Sequence, residues 1–244
     1  MKTVIINLSG NTGKTTLTKH MFTPLLGATR ISIEDTNAGD GASDVEISAN
    51  KFKQLAAEIN TAADDEHFVV DVGASNAKAM IAKFDSLTST TELIDCWIIP
   101  VTPSAKQIVD SLRTATALAE LGIDPSKIVL LPNNITDLES YDTDFQQIHK
   151  VRKGKFIVPD DGILSSEAFA LLRDDERSIF DVVNNKPDFS AKKKELREAG
   201  DEKGLLKLGH EMVLYDLSRQ ATKNVQSVFY SLPFFKDLKE QQNG

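Results

Sequence analysis

The chain has 244 residues, 41% of them apolar and 26% charged, with 36 acidic and 28 basic side chains and a formal charge of −8. That balance excludes a disordered tail, a collagen and a coiled-coil rod, and the length allows one large α/β domain or two small ones with a sizeable core. A single cysteine, Cys96, excludes a disulfide scaffold and fits a reducing compartment; four scattered histidines (His20, His67, His149, His210) suggest no zinc-type site.

Short apolar runs alternate with helical patterns along the chain. The runs Thr3–Asn7, Arg30–Ile33, Phe68–Val72, Cys96–Val101, Ile128–Leu131 and Lys155–Val158 are rich in Val and Ile and mostly lack period-2 alternation. Strands covered on both faces read this way. Helical spacing occupies Lys14–Leu25, Ala49–Ala62, Ala77–Phe84, Lys106–Leu121 and Ser166–Leu172. The β-α-β-α order predicts a doubly wound, mostly parallel sheet, with ligands at the carboxyl ends of its strands. From Ser190 onward no strand-like run occurs. Leu205, Leu208, Met212, Leu217, Ala221, Val225 and Val228 recur at roughly helical spacing. They predict extra C-terminal helices over 190–244, packed on the domain formed by 1–189, because so few apolar residues cannot build a separate core.

No apolar run reaches 18 residues, and the opening MKTVIINLSGN carries neither a long apolar stretch nor a small-residue cleavage site. The expectation is a cytoplasmic protein without a membrane span. Residues 1–149 hold 11 basic and 20 acidic side chains, and residues 150–244 hold 17 and 16. A broad basic face for nucleic acid does not follow from those totals. Two local clusters remain as candidates for a DNA contact or for ordinary solvated surface: Lys150, Arg152, Lys153 and Lys155, and then Lys192, Lys193, Lys194 and Arg197.

The segment richest in chemistry is Asn7-Leu8-Ser9-Gly10-Asn11-Thr12-Gly13-Lys14-Thr15-Thr16, which follows the first strand and opens the first helix. A triphosphate needs inward-pointing backbone N–H groups, a helix N-terminus, a flexible cation and a hydroxyl for magnesium. Gly10 and Gly13 permit the tight turn, Lys14 reaches the β- and γ-phosphates, and Thr15 ligates Mg²⁺. Phe68-Val69-Val70-Asp71 is an apolar strand ending in a carboxylate, the pattern that holds magnesium through water beside a phosphate loop, and Asp71 is its candidate.

The loop is not the standard G-x-x-x-x-G-K-[ST], since Leu8 stands five before Gly13. It resembles the deviant loop K-G-G-x-G-K-T-T of the ParA/MinD family of P-loop ATPases. Gly10, Gly13, Lys14, Thr15 and Thr16 agree; Ser9 replaces the family's signature lysine and Asn11 its second glycine. In that family the lysine reaches across a nucleotide-sandwich dimer, so its absence puts that contact and the hydrolysis depending on it in question. The family's acidic pair after the second strand falls on Glu34-Asp35, here adjacent and without the following proline. The resemblance makes both candidates for handling water or metal. Ile98–Ser104 resembles the family strand and switch. Ile128–Asn134 resembles the strand whose terminal asparagine reads adenine, which points to Asn133 first and Asn134 second; an amide offers that base edge both a donor and an acceptor. Phe156–Pro159, Glu167–Phe169 and Ser178–Asp181 resemble the late segment over the base. The resemblance covers about residues 1–185, and its texture is nearest to plasmid-stability ATPases of the StbB kind and the conjugation-associated VirC1 kind.

On this resemblance the cofactors are ATP/ADP and Mg²⁺, contacted by Ser9, Gly10, Asn11, Thr12, Gly13, Lys14, Thr15 and Thr16. The implied partners are a second copy in a nucleotide-dependent homodimer and a plasmid-encoded DNA-binding protein. The implied activity is slow ATP hydrolysis in plasmid partition or stability. The irregular acidic pair and Ser9 leave a second reading open, a nucleotide-binding adaptor or switch with little or no hydrolysis.

Overall fold

The computed structural model describes residues 1–33, 49–63, 65–152 and 156–238. Five strands form one sheet: β1 (Lys2–Ile5), β2 (Thr29–Ile33), β3 (Phe68–Val72), β4 (Cys96–Val101) and β5 (Ile128–Pro132). Their spatial order is β2-β3-β1-β4-β5, and every pairing is parallel, with Ile5 in register with Asp71 and with Ile98. The central strand β1 has β3 on one side and β4 on the other. The connections therefore reverse direction there, and the crevice beyond its carboxyl end is where an open α/β sheet binds ligands.

The helices are α1 (Lys14–Leu17), α2 (Thr23–Leu26), α3 (Ala49–Thr61), α4 (Ala74–Asp85), α5 (Thr88–Glu92), α6 (Ala105–Glu120), α7 (Tyr141–Asp144), α8 (Gln146–Arg152), α9 (Glu167–Leu171), α10 (Ile179–Asn184), α11 (Phe189–Glu198) and α12 (Glu202–Ser231). None among the described residues is long and apolar enough to cross a membrane.

The strand sequences lack alternation because both faces are covered. Val4, Ile6, Val70, Val72, Trp97 and Ile99 point into one layer with Phe52, Leu55 and Phe84; Ile5, Val69, Ile98 and Val129 point into the other with Leu17, Met21 and Phe22. The second layer is completed by Val225, Val228 and Phe229 of α12 and by Leu232 and Phe235 just after it. Phe229 and Phe235 stack at 4.4 Å and 9°, with Phe22 meeting both edge-on at 5.9 Å. Burying each of these rings is worth about 2 kcal/mol, so the C-terminal helix stabilises the sheet from below.

Two expectations are modified. The helix over Lys14–Leu25 is interrupted by a π turn at Thr18–Phe22, where the Thr23 N–H bonds the Thr18 carbonyl. Pro24 explains it: a proline ring collides with the carbonyl four residues back, and the wider turn moves His20 O aside. The sixth run, Lys155–Val158, pairs through Ile157 alone, which bridges Val129. Pro159 follows and has no N–H to extend a ladder. Lys155 itself, with Lys153, lies outside the described residues.

Candidate functional site

Loops at the carboxyl ends of β1, β3, β4 and β5 converge on a cleft of about 800 Å³. Its polar end is lined by Gly10, Asn11, Thr12, Gly13, Lys14, Thr15 and Thr16, its floor by Gly73, Ala74, Thr102, Asn133 and Asn134, and its far wall includes Leu164, Phe169 and Arg173. The nine residues the sequence assigned to nucleotide contact between Gly10 and Asn134 therefore meet in one place. Ser9 is buried just beneath, contributing its backbone carbonyl to Lys14.

The loop between β1 and α1 begins where β1 peels away from β4. Asn7, fully buried, takes over from the ladder: its Nδ2 donates to Pro100 O at 2.8 Å and to Ser111 Oγ at 2.7 Å. Pro100 is tolerated inside β4 because its missing N–H faces the stretch where β1 has already ended. Asn7 Oδ1 accepts the Ser9 N–H at 2.8 Å, closing an Asx turn that starts the loop. One face of α6 then holds the loop down. Thr114 Oγ1 accepts the Leu8 N–H at 3.1 Å, and Gln107 Nε2 donates to Gly10 O at 2.8 Å while its Oε1 accepts the Thr102 hydroxyl. The spacing 107, 111, 114 is one helical face. These residues were missed in the sequence, where they stand among the other polar positions of the helix, Lys106, Asp110, Arg113 and Glu120.

The second half of the loop turns through Asn11 and Gly13, at φ +56° and +86°. Gly13 starts α1, and the first N–H groups of that helix have no partner within it. Asn133 Nδ2 donates to Thr12 O at 2.8 Å, and a Cβ at Gly13 would sit 2.3 Å from that nitrogen. The Asn133 amide thus braces the loop from the cleft floor, where the exposed Asn134, at φ +58°, lies beside it. Lys14 is buried, with Nζ 2.9 Å from Ser9 O.

Asp71 lies within β3, fully buried, two and three residues before Gly73 and Ala74 of the cleft floor. It does not itself line the cleft. Its Oδ2 accepts from Arg30 of β2 at 2.8 Å, and its Oδ1 has no partner among the described residues. Arg30 is 34% exposed, so the pair is open to solvent on one side. Glu34 and Asp35 lie outside the described residues. The Lys192–Lys194 cluster and Arg197 are exposed on α11, away from the cleft lining, with Lys194 3.9 Å from Glu198.

The far wall is tied to the rest of the molecule by polar contacts. Lys19 Nζ donates to Leu172 O at 2.6 Å and to Asp175 O. His20 Nδ1 accepts the Ile179 N–H at 3.2 Å, and its ring lies 5.4 Å from that of Phe169. Burial, followed by the charge of Lys19, lowers the His20 pKa from 6.5 to about 4, against a smaller opposing effect of Asp181. Arg177 bridges Asp175 and Glu211 of α12, and Asn224 of α12 holds Gly162 O at 3.1 Å and the Leu164 N–H at 2.9 Å.

No family model matches the chain, and no curated protein matches it. Among solved structures, apo McdA from Cyanothece is 14% identical, with a TM-score of 0.47 over 92% of this chain and 98% of that one. An ATP complex of an aspartate-to-alanine McdA variant from Cyanothece is also 14% identical, with a TM-score of 0.46 over 86% and 95%.

Proposed function

We propose that this protein is a ParA/MinD-like ATPase that holds ATP and Mg²⁺ in the cleft and uses the nucleotide to switch a homodimer between two states. The observation that carries the reading is the loop: a left-handed Gly13 at the head of α1, braced from both sides, with Lys14 held on the loop's own carbonyl. A pre-shaped ring of backbone at a helix N-terminus is an anion site, and the adjacent ammonium supplies the charge a triphosphate needs. The chemistry of the donor set fits the group. Lys14 would exchange Ser9 O for phosphate oxygens. Thr15, exposed in the first turn, would hold Mg²⁺, and Asp71 would support the metal through the oxygen that Arg30 leaves free. Glu34 or Asp35 would position water, and Asn133 or Asn134 would meet the base.

Such a switch works because ATP binds one state better than the other, which shifts the population. Following the resemblance, the process served is plasmid partition or stability, with a plasmid-encoded DNA-binding protein as partner. Lys14→Ala abolishes ATP binding measured by calorimetry; undiminished binding overturns the loop assignment. The Arg30–Asp71 pair favours a second reading, a nucleotide-dependent adaptor with little or no hydrolysis, because one of the two oxygens of the acid behind the metal is already committed. ATP turnover with and without DNA and partner extract separates the two: a partner-stimulated rate supports the ATPase, and a flat baseline with intact binding supports the adaptor.

A further inference from the structure

The cleft lining contains a buried donor with no assigned task. His20 sits in the π turn that follows α1, 3% exposed, yet it lines the cleft. Its Nδ1 accepts a backbone N–H, that of Ile179 at the start of α10. A neutral imidazole that accepts at one nitrogen carries its proton on the other, so the tautomer is Nε2–H. That N–H has no protein partner among the described residues, and it is not one of the sealed, unpartnered polar atoms of the interior. Among the described residues, the open surface that His20 lines is this cleft.

The surroundings fix the ring. Phe169 tilts against it at 37°, the Ile179 amide pins one edge, and Lys19 next to it is anchored on the carbonyls of Leu172 and Asp175. Phe169, Ala170 and Leu164 give this end of the cleft apolar surface, beside Ser165, Ser166, Arg173 and Lys19, whose ammonium is already held by the carbonyls of Leu172 and Asp175. Apolar surface with a few placed polar groups suits a flat or sugar-bearing group.

We infer that His20 is a specificity-determining residue whose Nε2–H donates to an acceptor on the nucleoside part of the ligand, with Phe169 flanking the same group. The inference rests on the nucleotide reading above and extends it to what distinguishes a nucleoside triphosphate from a bare triphosphate. The lowered pKa of the ring keeps it neutral at physiological pH, so it recognises by hydrogen bonding and adds no charge.

The test compares ATP with inorganic tripolyphosphate, which has the phosphates but no sugar or base. Calorimetry on the full chain gives both affinities for the wild type, His20→Ala, His20→Asn and Phe169→Leu. A neutral hydrogen bond is worth about 0.5–1.5 kcal/mol, or roughly 2- to 10-fold in affinity. His20→Ala is expected to weaken ATP by that factor and to leave tripolyphosphate unchanged. His20→Asn, which keeps both an acceptor for Ile179 and a donor, restores part of the loss. Phe169→Leu weakens ATP alone. Equal weakening of both ligands in His20→Ala and His20→Asn assigns the residue to holding the loop and overturns the inference, as does no change in either. If His20→Ala does not fold, His20→Asn and Phe169→Leu decide, and ATP and tripolyphosphate affinities that move together in both overturn it. A wild-type chain that binds neither ligand defeats the phosphate-loop reading itself, whereas one that binds both equally defeats only this inference.

Discussion

Replacing Gly13 by alanine tests the construction of the loop between β1 and α1 without any ligand. The residue sits at φ +86°, where an L side chain costs about 1–2 kcal/mol, less about 0.4–1 kcal/mol regained from a stiffer unfolded chain. The added Cβ would stand 2.3 Å from Asn133 Nδ2 and 3.5 Å from its Cγ. The asparagine must swing away, because a side chain moves more cheaply than the loop backbone. It then gives up its 2.8 Å bond to Thr12 O and strands a carbonyl in a buried site, a loss of about 1–3 kcal/mol. The total for Gly13→Ala is about 2–4 kcal/mol. In an Asn133→Ala background the clash partner is gone, and Gly13→Ala costs only its backbone share, about 1 kcal/mol. Urea denaturation of the four proteins in this cycle measures the coupling, expected at about 1–3 kcal/mol. Equal costs of Gly13→Ala in both backgrounds would falsify the picture of an asparagine wedged against a bare glycine.

Two further outcomes follow from the buried charges and the buried histidine. In acid, an unfolded chain protonates His20 below pH 6.5, while the folded chain resists until about pH 4. Stability from this site is full above pH 6.5 and declines across that window, by about 2 kcal/mol at pH 5. The difference in urea midpoint between pH 7 and pH 5 should therefore shrink in His20→Asn; an unaltered difference rules the site out as the source. Arg30→Ala leaves the Asp71 carboxylate buried without its cation, and because one side of the pair is wet the cost is nearer about 2 kcal/mol than the 3–5 of a sealed pair. Thermal unfolding at pH 7 checks it, with Asp71→Asn in the same background recovering part of the loss. No recovery places the cost in the packing of the arginine stem.

Much of this arrangement was legible in the residues. Val and Ile runs without alternation gave a sheet covered on both sides, and Gly13-Lys14-Thr15 at a strand-to-helix junction located the loop. The C-terminal leucines and valines gave helices that pack on the same core. What escaped detection has a common cause. Gln107 and Thr114 bond backbone groups of a loop about a hundred residues away in sequence, and Ser111 meets the side chain of Asn7 in that loop; nothing local in a helix records such a partner. Asp71 reads as a metal acid from its strand, but its pairing with Arg30 depends on β2 lying beside β3, which the order of elements alone does not fix. His20 looked like one of four unrelated histidines. Only the π turn, itself a consequence of Pro24, and the fold-dependent approach of α10 give its ring a direction.

The attachment of α12 to the far wall has a mechanical corollary. Asn224 grips Gly162 and Leu164, while twenty-two residues of the same rod run from there to Glu202, about 33 Å at the usual rise per residue. Such a rod is a lever with its fulcrum beside the cleft wall that Leu164 lines. A pivot of about 5° there would swing the tip carrying α11 by about 3 Å, a displacement large enough for a neighbouring molecule to feel.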